Sequence, residues 1–232
     1  MTVAKNSSDL IKPGAIVGTV HSPVSLRAAQ RIDPAALDWL ELRVDHFADA
    51  PAPLLKAASG LKVPLIVTVR HPAEGGCHQL GFQRRRELYG QFLSVASAID
   101  VELRSVTALA DVLKQARKQG VRIIVSSHDF HATPSAARLS EFVRKGIAAG
   151  ADVVKIAALA ETCGDLERLL ALFARKQKRP LSLMAMGRFG KVSRLLFAQA
   201  GSVLNYGYLG AANASGQWPA LTFRKRLEEL ES

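Results

Sequence analysis

Eight short apolar runs recur along these 232 residues at fairly even spacing, each rich in Val, Ile and Leu. They are Ala15–Val20, Trp39–Val44, Pro64–Val69, Ala98–Leu103, Arg122–Ser127, Asp152–Ala157, Leu181–Met186 and Ser202–Tyr206. Most of the intervals between them carry a helical pattern. Leu109, Val112, Leu113 and Ala116 keep i, i+3, i+4 spacing with Lys114, Arg117 and Lys118 opposite, and Leu166, Leu169, Leu170 and Phe173 repeat it. Gly120, Gly150 and Gly201 stand between a helix and a strand, where a C-cap glycine belongs. Eight strand–helix alternations in a chain of this length predict a (β/α)8 TIM barrel, one domain over residues 1–232. An open doubly wound sheet is the alternative. It commonly places a GxGxxG turn after its first strand, where this chain reads Val20-His21-Ser22-Pro23.

The polar residues inside these runs keep to one parity. Leu40, Leu42 and Val44 alternate with Glu41, Arg43 and Asp45. Asp100, Glu102 and Arg104 alternate with Val101 and Leu103, Thr68 and Arg70 with Val67 and Val69, Ser126 and His128 with Val125, and Lys155 with Val154 and Ile156. Strand period is two, so each polar set shares one face of a strand otherwise buried on both sides. In a barrel that face is the lumen, and the charges converge toward the C-terminal mouth, where barrel enzymes do chemistry. Five strands with the same habit are hard to read as structure alone, because each unpaired buried charge is costly.

Composition narrows the partners. At 48% hydrophobic and 22% charged, the chain can bury a core, which excludes a disordered one. No apolar run approaches the ~18 residues of a membrane span, and Met1–Asp9 lacks a signal-peptide core. A cytoplasmic location without membrane association is expected. Cys77 and Cys163 then read as free thiols. No CxxC or HExxH spacing suggests a metal site. With 31 basic and 20 acidic residues the net charge is +11, which favours an anionic partner. The basic residues are scattered and no aromatic-interleaved basic motif occurs, so the expected anion is a small acidic metabolite rather than a nucleic acid. The densest run, Arg84-Arg85-Arg86, reads as a solvated helix face.

The order of motifs resembles one family. Glu41-Leu42-Arg43-Val44-Asp45-His46-Phe47 is followed by Thr68-Val69-Arg70, Glu74-Gly75-Gly76, Ser127-His128-Asp129-Phe130 and Thr133-Pro134. Then come Val154-Lys155-Ile156-Ala157, Met186-Gly187, Ser193-Arg194 and Gly216-Gln217. This series is similar to the type I 3-dehydroquinate dehydratases, barrel enzymes of the shikimate pathway. The resemblance runs from the second strand to the last helix. It implies a metal-free and cofactor-free dehydration through an imine. Lys155 would condense with the substrate ketone, His128 would move protons, and Glu74 would orient His128. Residues matching Glu41, Arg43, Arg70, Arg194, Asn213 and Gln217 would hold the substrate, with Arg194 on its carboxylate. A homodimer is the expected assembly. Gly75-Gly76 and Met186–Gly190 would be turns rather than phosphate loops. Three positions depart from the family pattern. Gly18 stands where a serine touches substrate, Asn213 where another serine does, and Ser215 where a proline precedes glycine.

The residue types suit these roles without the family. A lysine in a lumen with Arg43, Arg70 and Arg194 is expected to have its ammonium form disfavoured by like charge. Histidine can give and take protons near neutrality, and arginines bind carboxylates in pairs of bonds. Asp45 reads as an ion-pair partner for Arg43, and His46 and His131 as bystanders. The Gly-, Ala- and Asn-rich stretch 207–216 is expected to act as a mobile lid, tightened by Ser215→Pro. Two rivals remain: a Schiff-base aldolase, and a catalytically idle barrel that binds sugar acids or serves as a basic interaction module.

Overall fold

The computed structural model describes residues 11–212 and 214–231. Eight strands alternate with eight helices: β1 (Ile16–Val20), α1 (Pro23–Arg31), β2 (Trp39–Arg43), α2 (Pro51–Ala58), β3 (Leu65–Thr68), α3 (Phe82–Phe92), β4 (Ala98–Glu102) and α4 (Ala110–Lys118), then β5 (Arg122–Asp129), α5 (Ala136–Ala148), β6 (Val153–Leu159), α6 (Cys163–Leu170), β7 (Leu181–Met186), α7 (Gly190–Gln199), β8 (Asn205–Tyr208) and α8 (Ala220–Glu231). All pairings are parallel, in the order β7-β6-β5-β4-β3-β2-β1-β8. The seam between β7 and β8 is narrow. Val203 donates its N–H to the Leu181 carbonyl at 2.9 Å, and Ser182 Oγ donates to the Leu204 carbonyl at 2.7 Å. These bonds close the barrel, as the sequence predicts.

Local signals start several helices. Ser22 and Thr162 form capping boxes with Ser25 and Asp165, and Pro23 occupies the first turn of α1. Gly120, Gly150 and Gly201 have φ of +72°, +85° and +105°, the left-handed caps expected of them. The strand parity then sorts the barrel. Leu40, Leu42, Val67, Val69, Val125 and Val154 face outward, into the layer shared with Leu88, Phe92, Val143, Leu169 and Phe197. Val17, Trp39, Ile66, Ala98, Ile124 and Val153 face inward and fill the N-terminal half of the lumen.

Three expectations change. β5 and β6 run two residues further than predicted, so His128 lies on the strand itself. β8 begins at Asn205 rather than Ser202, because Ser202 and Leu204 are used at the seam. Gly207 therefore belongs to a strand and not to a loop; a Cβ there would sit 2.6 Å from Ala220 Cα, so α8 packs directly on it. Arg85 does not share a solvated face with Arg84 and Arg86. It is buried, with Nη2 2.5 Å from Glu102 Oε2 and Nε 2.9 Å from the Val69 carbonyl. A partner on β4 draws it inward.

Candidate active site

Above the apolar floor, the same inward parity carries Thr19, Glu41, Thr68, Asp100, Ser126 and Lys155. Lys155 donates from Nζ to Asp100 Oδ2 at 2.8 Å and lies 3.7 Å from Glu41 Oε1. Nζ also stands 3.7 Å above the centre of the Tyr206 ring. Arg70 reaches in from the end of β3. It bonds Asp100 Oδ1 at 3.0 Å, Glu102 Oε1 at 2.9 Å and Ser126 Oγ at 2.8 Å. Arg85 braces Glu102 from behind. Glu41, Asp100 and Glu102 thus face Lys155, Arg70 and Arg85, three anions against three cations, which makes so much buried charge tolerable. Burial by itself would raise the Asp100 carboxyl; Arg70 and Lys155 outweigh it and hold it well below the usual range. Burial likewise opposes the charge on Arg70, but Asp100 and Glu102 more than compensate.

One expectation is reversed here. The sequence reading surrounds the Lys155 amine with like charge, whereas the structure surrounds it with carboxylates and an aromatic face. The arginines of the lumen are turned toward other partners. Lys155 remains 3% exposed.

His128 sits one strand over. Its backbone N–H donates to Glu74 Oε2 at 2.9 Å, and its Nδ1 lies 3.1 Å from the same oxygen. Burial, and then the charges of Arg70 and Lys155, push the His128 imidazolium well below its ordinary range, so the ring is neutral. A neutral ring that donates from Nδ1 to Glu74 leaves the Nε2 lone pair free. Glu74 ends the short turn Pro72–Glu74 that follows β3, capped by Gly75 at φ +82°. Burial raises its carboxyl to about 7, with Arg70 pulling against it. Gly76 turns the chain so tightly that a Cβ would lie 2.4 Å from the Arg70 carbonyl, which makes this segment a packed turn.

The remaining predicted binding groups ring the mouth. Arg43 binds Asp45 with two bonds, of 3.0 and 2.8 Å, and donates to the Gly75 carbonyl at 2.9 Å; the ion-pair role of Asp45 holds. Arg194 on α7 is 2% exposed. It donates to the carbonyls of Tyr206 at 3.0 Å and Gly216 at 3.1 Å, and no carboxylate pairs with it among the described residues. Burial brings it down to about 10. Gln217 Oε1 accepts from the Ala214 N–H at 3.3 Å. Asn213 lies outside the described residues. Arg43, Arg194 and Gln217, together with Phe130, Met184 and Met186, line a cavity of about 130 Å³ that reaches Lys155, His128 and Glu74. A larger cleft of about 210 Å³ lies against α5 and contains none of them.

Sequence reasoning misplaces one hydroxyl and misses two residues. Gly18 faces outward, where a Cβ would lie 2.7 Å from Leu37 Cδ1. The inward hydroxyl of β1 is Thr19, 3.4 Å from Glu41 Oε2. Asp100 and Tyr206 are the missed pair; the polar parity of β4 signals the first, while nothing in β8 signals the second. The stretch expected to form a lid is fastened at its far end. Ser215 Oγ accepts the Gly187 N–H at 3.1 Å and Gly216 meets Gly190 backbone to backbone. Ser215→Pro would break that bond rather than simply stiffen the loop. His46 stays neutral, lowered by burial to about 4, and lies with His131 outside the cavity lining. Among the described residues no three His, Cys, Asp or Glu side chains gather as a metal site, and no helix is long and apolar enough to cross a membrane.

Residues 19–232 match the family model of type I 3-dehydroquinase. The 3-dehydroquinate dehydratase of Methanosarcina barkeri is 33% identical, over 96% of this chain and 97% of that protein. The crystal structure of 3-dehydroquinate dehydratase from Geobacillus kaustophilus superposes with a TM-score of 0.84 at 29% identity, covering 94% of this chain and 91% of that one. The type I enzyme from Clostridium difficile, solved with covalently modified comenic acid, gives 0.82 at 26% identity over 94% of this chain and 92% of its own. An eight-stranded barrel with a lysine, a histidine and a glutamate at its C-terminal mouth, matched over nearly its whole length, belongs to the type I 3-dehydroquinase family.

Proposed function

We propose that this chain dehydrates 3-dehydroquinate to 3-dehydroshikimate through an imine on Lys155. The Lys155 ammonium gives one proton to neutral His128, the free amine attacks the ketone carbon, and that proton leaves with the former carbonyl oxygen as water while the protonated imine forms. The iminium withdraws electrons from the neighbouring carbon and makes its C–H acidic. His128 Nε2 takes that proton, held in the right tautomer by Glu74. The resulting enamine expels the hydroxyl on the next carbon, and His128 returns its proton to that leaving oxygen. Water then hydrolyses the imine and frees Lys155. One water is lost overall. Asp100, Glu41 and the Tyr206 ring keep the cationic nitrogen balanced throughout.

The observation that carries this reading is the coexistence of Lys155, neutral His128 and carboxylate-free Arg194 on one small cavity. A buried guanidinium without an anion is suited to the carboxylate of a substrate. Glu41, Arg43, Arg70 and Gln217 line the same cavity and supply donors and acceptors for its hydroxyls; we include Asn213 on the family resemblance alone. That the Clostridium difficile relative was solved with covalently modified comenic acid supports covalent chemistry in a site of this kind. On the family resemblance we assign a reaction without metal or cofactor, one barrel domain as the working unit, a homodimer and a cytoplasmic location. The test follows ultraviolet absorbance of the conjugated enone after mixing purified, chelator-treated protein with 3-dehydroquinate. Absorbance should rise with the wild type and stay flat with Lys155→Ala. A flat trace from folded wild-type protein would overturn the reading.

A further inference from the structure

Glu74 is gripped from two sides. Its Oε2 holds His128, as described, while its Oε1 lies 3.2 Å from Arg104 Nε. Arg104 belongs to the turn Leu103–Ser105 just after β4, and its side chain is about half exposed. The charged and titratable groups that face Glu74 are Arg70 from the end of β3, Glu102 from β4, neutral His128 from β5 and Arg104. Arg70 directs its guanidinium to Asp100, Glu102 and Ser126. Among the described residues, Arg104 is therefore the one arginine or lysine in ion-pair contact with Glu74. It lines no part of the cavity that holds Lys155 and takes no part in the motifs that identify the family.

We propose that Arg104 is a positioning residue for the dehydration: by clamping Oε1 it keeps Glu74 ionised and turned so that Oε2 fixes the proton of His128 on Nδ1. This rests on the roles given above to Glu74 and His128. The physical need is plain. An ionised carboxylate is acceptor-only and can receive both the backbone N–H and Nδ1–H of His128. A protonated Glu74 has an O–H to place and no longer prefers the Nδ1–H tautomer. His128 can then carry its proton on Nε2, where it is useless as a base. Burial already brings Glu74 to about 7, and Arg104 is among the charges that pull it back. Loss of Arg104 raises it further, so the ionised fraction at neutral pH falls.

The experiment compares wild type, Arg104→Gln and Arg104→Lys in kcat and KM across pH ~5.5–9. In Arg104→Gln the acid limb of kcat should move up by about half a pH unit, with a roughly twofold fall near pH 7 that approaches about threefold on the acid side and vanishes at alkaline pH. KM should not change, and Arg104→Lys should recover part of the limb. Because Arg104 is half exposed, high salt should move the wild-type limb the same way. Nitrogen-15 NMR of the His128 ring, without substrate, should show the Nδ1–H tautomer at alkaline pH in both proteins and, at pH ~7, a larger Nε2–H share in Arg104→Gln than in wild type. Superimposable profiles, a loss equal at every pH, or an unchanged tautomer would each overturn the proposal. A wild type that fails to dehydrate 3-dehydroquinate would instead defeat the reading on which it rests, and the NMR result would still report on the clamp.

Discussion

The two halves of the barrel lumen are built from the same parity of the same strands, yet they are filled by opposite chemistry. Toward the N-terminal end the inward positions are Val17, Trp39, Ile66, Ala98, Ile124 and Val153. Two residues further along, they become Thr19, Glu41, Thr68, Asp100, Ser126 and Lys155. Both layers are buried almost completely. The lower one gains from burial directly, at roughly 25 cal/mol per Å² of apolar surface. The upper one gains nothing comparable, since desolvating paired charges about cancels their attraction. Its charges, Glu41, Asp100 and Lys155, are balanced together with Glu102, Arg70 and Arg85 around them so that the layer costs little, and it exists for what it can do to a substrate. One layer is a plug and the other a site.

The comparison is broken most severely at its reactive end. Lys155→Ala should lower kcat by roughly 10⁴-fold or more, because among the described residues no other lysine lines the cavity; steady-state turnover measures it. His128→Ala should lower kcat by about 10²–10⁴-fold while still forming the imine, so rapid-quench adduct accumulation and turnover should separate. Unchanged kcat in that variant removes His128 from the base role. In the plug, Ile66→Ala should destabilise the fold by about 2–5 kcal/mol in urea titrations, yet leave kcat of the folded fraction near wild type. A large kinetic effect there would erase the distinction between the layers.

Glu74 sharpens the contrast from the other side. Its folded value of about 7 lies above its ordinary 4.5. The folded state therefore binds that proton more tightly, and the stability it contributes is present below pH 4.5 and lost as pH rises through about 7. Glu74→Gln should then stabilise the protein by roughly 1–3 kcal/mol at pH ~8, not at all below pH ~4, and slow turnover. Chemical denaturation at both pH values decides it. A site residue whose loss stabilises the fold is what the burial of an incompletely balanced carboxylate predicts.

Much of this is legible in the sequence, because period-two alternation is written into each strand. Lys155, His128, Arg70 and Glu41 declare themselves as polar residues on runs otherwise Val, Ile and Leu. Arg85 does not, since its burial depends on Glu102, a residue on the next strand that helix periodicity cannot see. The charge around Lys155 is not legible in the sequence for a related reason. The positions of the lumen arginines are readable, but their directions are set by which carboxylate each one meets. Gly18 and Thr19 exchange faces because a register error of one residue reverses every side chain. β8 is the hardest strand to bound, its Asn205 and Gly207 giving neither apolar alternation nor β-branched residues.

The claim on which all of this turns is that one buried amine is the nucleophile. Borohydride added during turnover of 3-dehydroquinate, followed by proteolysis and mass spectrometry, reads it directly. A single stable mass increment should appear on the peptide that carries Lys155, and it should be absent from Lys155→Ala. Full turnover with no increment, or an increment on any other lysine, would contradict the account.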